Sequence, residues 1–247
     1  GTIYGATWST DVPEETTTAT NTHSLIFDGV DDYVDLQSAG LSNTPSELTE
    51  TAWIKYTGNS ALWGIVLTKR NSNSQSWATL GTQGGNVMFA RDAMNCANQV
   101  TGSSVDDNLW HHIAGVMDGN IYRIYLDGFF VDSIIASCNN PGSSSNMILG
   151  NHQAWSNGSG VSSWFEGLID DVQIWNTALT QQEIQSYMST PPTGNEEGLV
   201  GYWDFNEGTG STLTDQTSNG NDGTIYGATW STDVPEETTT ATNTHSL

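Results

Sequence analysis

The chain has 247 residues, of which only 13% are charged and 10% aromatic, ten of them Trp. Five basic residues stand against 28 acidic ones, a net charge of −23 that repels phosphate backbones and anionic membranes and so excludes nucleic acid as a partner. Sparse charge with abundant Gly, Ser, Thr and Asn also excludes long charged helices, and points to short strands joined by polar turns.

Residues 1–25, GTIYGATWSTDVPEETTTATNTHSL, open the chain and recur identically as residues 223–247. Twenty-five identities in a row make the parent a tandem array of one unit, with residues 23–222 as the domain and 223–247 as the start of the next repeat. Within the repeated segment, Ile3, Tyr4 and Trp8 give GTIYGATW the look of a strand. Residues 13–22 are polar and Thr-rich, so residues 1–22 read as an inter-repeat strand and linker.

Strand signals then follow at short spacing. They cover 24–27, 32–36, 50–56, 64–68, 77–80, 86–90, 110–117, 122–126, 129–131, 147–149, 171–175 and a final 199–205. Tyr122, Ile124 and Leu126 alternate cleanly with Arg123, Tyr125 and Asp127, and Asp127-Gly128 is a type I′ hairpin signal. Thr180-Gln-Gln-Glu183 is a capping box before Ile184, Tyr187 and Met188, which predicts one short helix near 180–188. Cys96 and Cys138 sit in polar, turn-rich stretches rather than apolar runs, so a disulfide in an oxidising compartment is expected. No apolar run approaches the ~18 residues of a membrane span, and no secretory leader is read, so a secreted protein is expected in mature form.

In order, Ser24-Leu-Ile-Phe-Asp-Gly-Val-Asp-Asp-Tyr-Val34, Trp110-His-His-Ile-Ala114, Tyr122-Arg-Ile-Tyr-Leu-Asp-Gly128 and the segment from Glu166 to Ile184 resemble the motifs of the laminin-G-like/pentraxin domains, within the concanavalin A-like lectins and glucanases. The resemblance covers about residues 24–210. It implies an all-β, two-sheet antiparallel jelly-roll β-sandwich whose first and last strands lie side by side, with residues 199–205 back against the same sandwich.

The resemblance also brings the strands bearing Asp28, Asp31 and Asp32 beside the one bearing Asp170 and Asp171. Their carboxylates then form an oxygen-rich site suited to Ca²⁺; the alternative is that they cap their own turns. Where pentraxins carry acid-rich calcium loops, this chain reads Asn71-Ser-Asn73 and Asn151-His-Gln153, a departure from that ligand-bridging site. Trp77, Trp155 and Trp164, with Asn151, His152, Gln153 and Asn157, have the residue types of a glycan site, an aromatic platform with a few hydrogen-bonding groups.

Catalysis is not expected. Glycosidases need carboxylates that share one face of a groove, whereas Asp170 and Asp171 are adjacent on a strand and read as pointing to opposite faces. The expected function is a non-catalytic repeat unit of an extracellular or cell-surface protein, an adhesin, stalk or filament block that meets copies of itself or neighbouring repeats. The alternative is a carbohydrate-binding module of a larger secreted protein.

Overall fold

The architecture follows from where the chain alternates. In Glu47–Tyr56, residues Leu48, Ala52, Ile54 and Tyr56 are buried in the main core, while Trp53 and Lys55 between them are half-exposed. That period of two is the mark of a strand with one face on a core. The computed structural model describes residues 21–37, 46–58, 63–70, 76–93, 96–136, 145–151 and 163–236.

Sixteen strands and one helix are found among them. In chain order the strands are β1 (Ser24–Asp28), β2 (Tyr33–Asp35), β3 (Glu47–Tyr56), β4 (Trp63–Arg70), β5 (Ser76–Gln83), β6 (Asn86–Ala93), β7 (Cys96–Ser104) and β8 (Trp110–Asp118). They continue with β9 (Ile121–Leu126), β10 (Phe129–Ile135), β11 (Met147–Leu149), β12 (Glu166–Trp175), helix α1 (Gln181–Ser189), β13 (Leu199–Trp203), β14 (Thr212–Leu213), β15 (Gly223–Tyr226) and β16 (Thr229–Ser231). One sheet runs β10-β9-β8-β3-β12-β1-β16, with β13 also pairing β12; the other runs β14-β15-β2-β11-β4-β5-β6-β7. All pairings are antiparallel, and the core between the sheets is filled by Leu25, Phe27, Ile54, Leu67, Phe89, Ile113, Trp203 and their neighbours. This is the two-sheet jelly roll expected from the sequence.

Helix α1 begins as its capping box requires. The Glu183 backbone N–H donates to Thr180 Oγ1 at 3.3 Å, and the Thr180 N–H donates to Glu183 Oε2 at 2.7 Å. Its Ile184 joins Trp175, Leu179, Tyr125, Leu199 and Tyr202 in a second apolar cluster, which covers one half of the outer face of the first sheet. The predicted β9–β10 turn is of type I′: Asp127 has φ 50° and Gly128 φ 76°.

Three expectations are corrected. First, residues 96–104, to which the sequence assigned no strand, form β7, with Cys96 at its start. That strand was missed because it is a polar edge with few buried apolar side chains, Val100 opposite Phe89 among them. Second, the last strand, the one beside β1, is β16 in the second copy of the repeat and not residues 199–205; these lie against the same sandwich as expected, with β13 pairing the far half of β12. Third, a bulge between Asp170 and Gln173, with φ 45° at Asp171, interrupts the alternation on which the two aspartates were read as facing apart.

Candidate functional site

On the outer face of the first sheet, the half left open by α1 carries a cleft of about 470 Å³. The register builds its floor: Lys55 lies opposite Trp110, and Trp53 opposite His112, on the neighbouring strands β3 and β8. The loop residues Asn108 and Leu109 form one wall, and Asp233, Val234 and Glu236, which follow β16, form another. Asp233 ties the parts together: it accepts from Lys55 Nζ at 2.7 Å and from the Trp110 indole N–H at 2.8 Å. Partial burial acts to raise its pKa, but those two hydrogen bonds and the lysine charge together hold it below the ordinary value. Asp233 is therefore a fixed carboxylate, able to accept hydrogen bonds and poorly suited to donate a proton.

The cleft offers two indoles, an ammonium, a carboxamide and carboxylates around a concavity, the mixture that small polar ligands with apolar faces require. None of its residues was nominated from the sequence, where Trp53 and Trp110 read as ordinary strand residues. The usable signal was Lys55, two residues after Trp53: a lysine in phase with a tryptophan marks the outer face.

The predicted acidic residues divide into two groups. Asp28, Asp31 and Asp32 converge in the β1–β2 turn, each with a carboxylate oxygen within 4.8 Å of the others. Turn capping accounts for part of the cluster: Asp28 Oδ1 accepts from the Val30 N–H at 2.8 Å, and Asp32 Oδ2 from the Asp28 N–H at 2.9 Å. Burial first, and then the charges of Asp28 and Asp31, push Asp32 upward against the lowering effect of that hydrogen bond. Among the described residues, Asp28 Oδ2, Asp32 Oδ1 and the Asp31 oxygens cap no turn, which makes the donor set one of hard oxygens without a bound cation partner among the described ion pairs.

Asp170 and Asp171 are not part of this group. The register places Asp28 opposite Glu166, so Asp170 stands four residues further along β12, roughly 13 Å away. Asp170 is fully buried and accepts from the Asn21 carboxamide at 2.7 Å, while Asp171 accepts from the Tyr202 hydroxyl at 2.8 Å. Desolvation pushes Asp171 up to about 7 and raises Asp170 well above its ordinary value, with the neighbouring Asp171 charge adding to the rise. Such perturbation marks functional carboxyls in clefts, but at 0% and 9% exposure these two face protein, not a cleft.

Of the residues nominated for a glycan site, Asn151 is buried at the end of β11 and Trp164 is half-buried before β12. His152, Gln153, Trp155 and Asn157 lie outside the described residues, as do the Trp77 side chain on β5 and Cys138.

Paired jelly-roll sheets with an open outer-face cleft define a lectin-like sandwich domain. A laminin G family model of the concanavalin A-like lectin/glucanases superfamily matches residues 28–185, and the chain belongs to that family. It is 32% identical over 123 residues to a rat sushi, von Willebrand factor type A, EGF and pentraxin domain-containing protein, covering 47% of this chain and 3% of that protein. Among solved structures, a putative carbohydrate binding protein from Bacteroides ovatus superposes with a TM-score of 0.67 at 19% identity, over 88% of this chain and 62% of that one. A heptameric pentraxin from Limulus polyphemus superposes with a TM-score of 0.56 at 15% identity, over 83% and 94%. Among the described residues, no helix is long and apolar enough to cross a membrane.

Proposed function

We propose that the chain is a non-catalytic repeat unit of an extracellular surface protein, built so that each period of sequence completes the unit before it. The observation that carries this reading is the position of residues 223–236. They begin a new period by sequence, yet they supply β15 to one sheet and β16 to the other. The Thr-rich stretch after them is then the joint to a following unit, with Asn243 in the place that Asn21 holds here. An oxidising compartment, in which Cys96 and Cys138 pair, is part of the same reading. A protein carrying two full periods should be cut by limited proteolysis within the Thr-rich joint, giving folded units that each melt at the temperature of this chain. A two-period protein that resists cutting and unfolds in a single step would defeat the proposal.

Absence of catalysis is supported by the burial of Asp170 and Asp171 and by the fixed charge of Asp233. A second reading, glycan binding, is favoured by the cleft of Trp53, Lys55 and Trp110, and the Bacteroides ovatus protein described as carbohydrate-binding shares the fold.

Ca²⁺ fits the free oxygens of Asp28, Asp31 and Asp32, and Glu166, packed against Gly29, is a further carboxylate beside them. Asp170 and Asp171 have no role in this ion's shell. Binding to the folded state alone would raise the melting temperature in millimolar Ca²⁺ relative to chelator by a few degrees, and Asp31→Asn would abolish the difference. An unchanged melting curve would remove calcium from the proposal.

A further inference from the structure

The docked segment 223–236 is held by contacts that specify its sequence. Ile225 is buried in the main core opposite Val34, and Tyr226 stacks on Tyr33 with ring centroids 4.6 Å apart. Gly227 has φ 81°, where any side chain is strained, and a Cβ there would also displace Asp32 Oδ1, which it would meet at 2.0 Å. The Trp230 indole N–H donates to the Gly210 carbonyl at 3.0 Å, and the Ser24 hydroxyl donates to the Asp233 carbonyl at 2.6 Å. Every one of these segment residues has an identical counterpart 222 positions earlier: Ile3, Tyr4, Gly5, Trp8 and Asp11.

We infer that the β1–β2 edge is a two-way receptor, which residues 1–14 of the same chain occupy when residues 223–236 are displaced. The contacts available to the two copies are the same, so only the tether differs. In the observed register Trp230 lies opposite Leu25 and Ser231 opposite Ser24. Trp8 and Ser9 in those places leave residues 10–23 to close a hairpin onto β1. Neighbouring strands are only ~4.8 Å apart, and the closure entropy of such a loop rises slowly with length. Asn21, held on Asp170, and the position of Asp233 lie near Ser24 at the two ends of that gap. A tether this short gives an effective concentration in the millimolar range, which favours the chain's own segment over that of a second copy. In a tandem array the consequence is that each joint segment has two equivalent docks, the unit before it and the unit after it. This inference depends only on the identity of the two copies and the observed pairing, and it stands whether or not the unit is also a lectin.

The test uses the full chain with Gly227→Val, Gly5→Val, or both, read by melting temperature and by light scattering after size exclusion. Gly5→Val should melt as the parent does. Gly227→Val should stay within about 3 °C of it as a monomer, because residues 1–14 take the edge. The double variant should fall by about 10 °C or more, and a synthetic peptide of residues 1–14 should restore it in a dose-dependent way. If Gly227→Val falls as far as the double variant, or if the double variant does not fall, the inference is overturned. A Gly227→Val dimer overturns the assignment to the same chain and gives the edge to a second copy.

Discussion

Replacing Glu50 by Gln is expected to change stability by less than about 1 kcal/mol near pH 5 and to raise it by roughly 3–5 kcal/mol at pH 9. Glu50 lies on β3 opposite Ile174 and Gly115, on the core side of the first sheet. It is fully buried, and neither carboxylate oxygen has a hydrogen-bond partner among the described residues. Desolvation pushes its pKa from 4.5 up to about 8. The folded state therefore keeps the proton where the unfolded state has lost it. The stability this group contributes is fully present below pH 4.5 and is lost as pH rises to about 8. At ~1.36 kcal/mol per unit, the loss approaches roughly 5 kcal/mol.

Asp171, raised to about 7, acts in the same direction over pH 3.8 to 7. His111 does so too: hydrogen bonding to Asp127 raises its pKa, so its stabilisation is lost as pH rises above 6.5. His112 opposes them. Desolvation lowers it to about 4, so its neutral folded form gains relative stability as pH rises from about 4 to 6.5. Glu50 and His112 offset each other below pH 6.5, which leaves the steepest decline between 6.5 and 8. Urea unfolding of parent and Glu50→Gln at pH 5, 7 and 9 measures this directly. Parallel pH profiles for the two would rule out a buried, protonated Glu50.

Glu50 also shows where sequence reading stops. Thr-Glu-Thr-Ala-Trp, residues 49–53, gives the strand but not the orientation of Glu50, because an acid at a core position breaks the pattern that assigns faces. The capping box, the Asp127-Gly128 hairpin and the convergence of Asp28, Asp31 and Asp32 were all legible, since each is fixed by residues close in the chain. The separation of Asp170 from Asp28 was not, because it depends on the register between β1 and β12 and on a bulge at Asp171 that no local residue announces. The cleft was hidden for a similar reason. Trp53, Trp110 and Asp233 come from three distant segments, and the last belongs to the repeat that the sequence assigned to the following unit.

That assembly sets the second large effect expected, on ligand binding. If the cleft recognises glycans, Trp110→Ala should weaken binding of the best glycan-array ligand by at least tenfold, about 1.4 kcal/mol. The reason is that the indole supplies both a lining face and the N–H that fixes Asp233. Asp233→Asn should weaken it as well while keeping the shape, because the carboxylate that pairs with Lys55 at 2.7 Å is replaced by a neutral amide. Trp175, buried under α1 on the same sheet, is the comparison that separates recognition from folding. Trp175→Phe should lower the melting temperature and leave the affinity of the folded protein unchanged. Should Trp110→Ala bind as the parent does while Trp175→Phe loses affinity, the cleft has no part in recognition. Because Asp233, Val234 and Glu236 form one wall, a protein in which residues 223–236 are displaced and not replaced would lose glycan binding together with strand pairing. Recognition and the joining of units would then depend on the same segment.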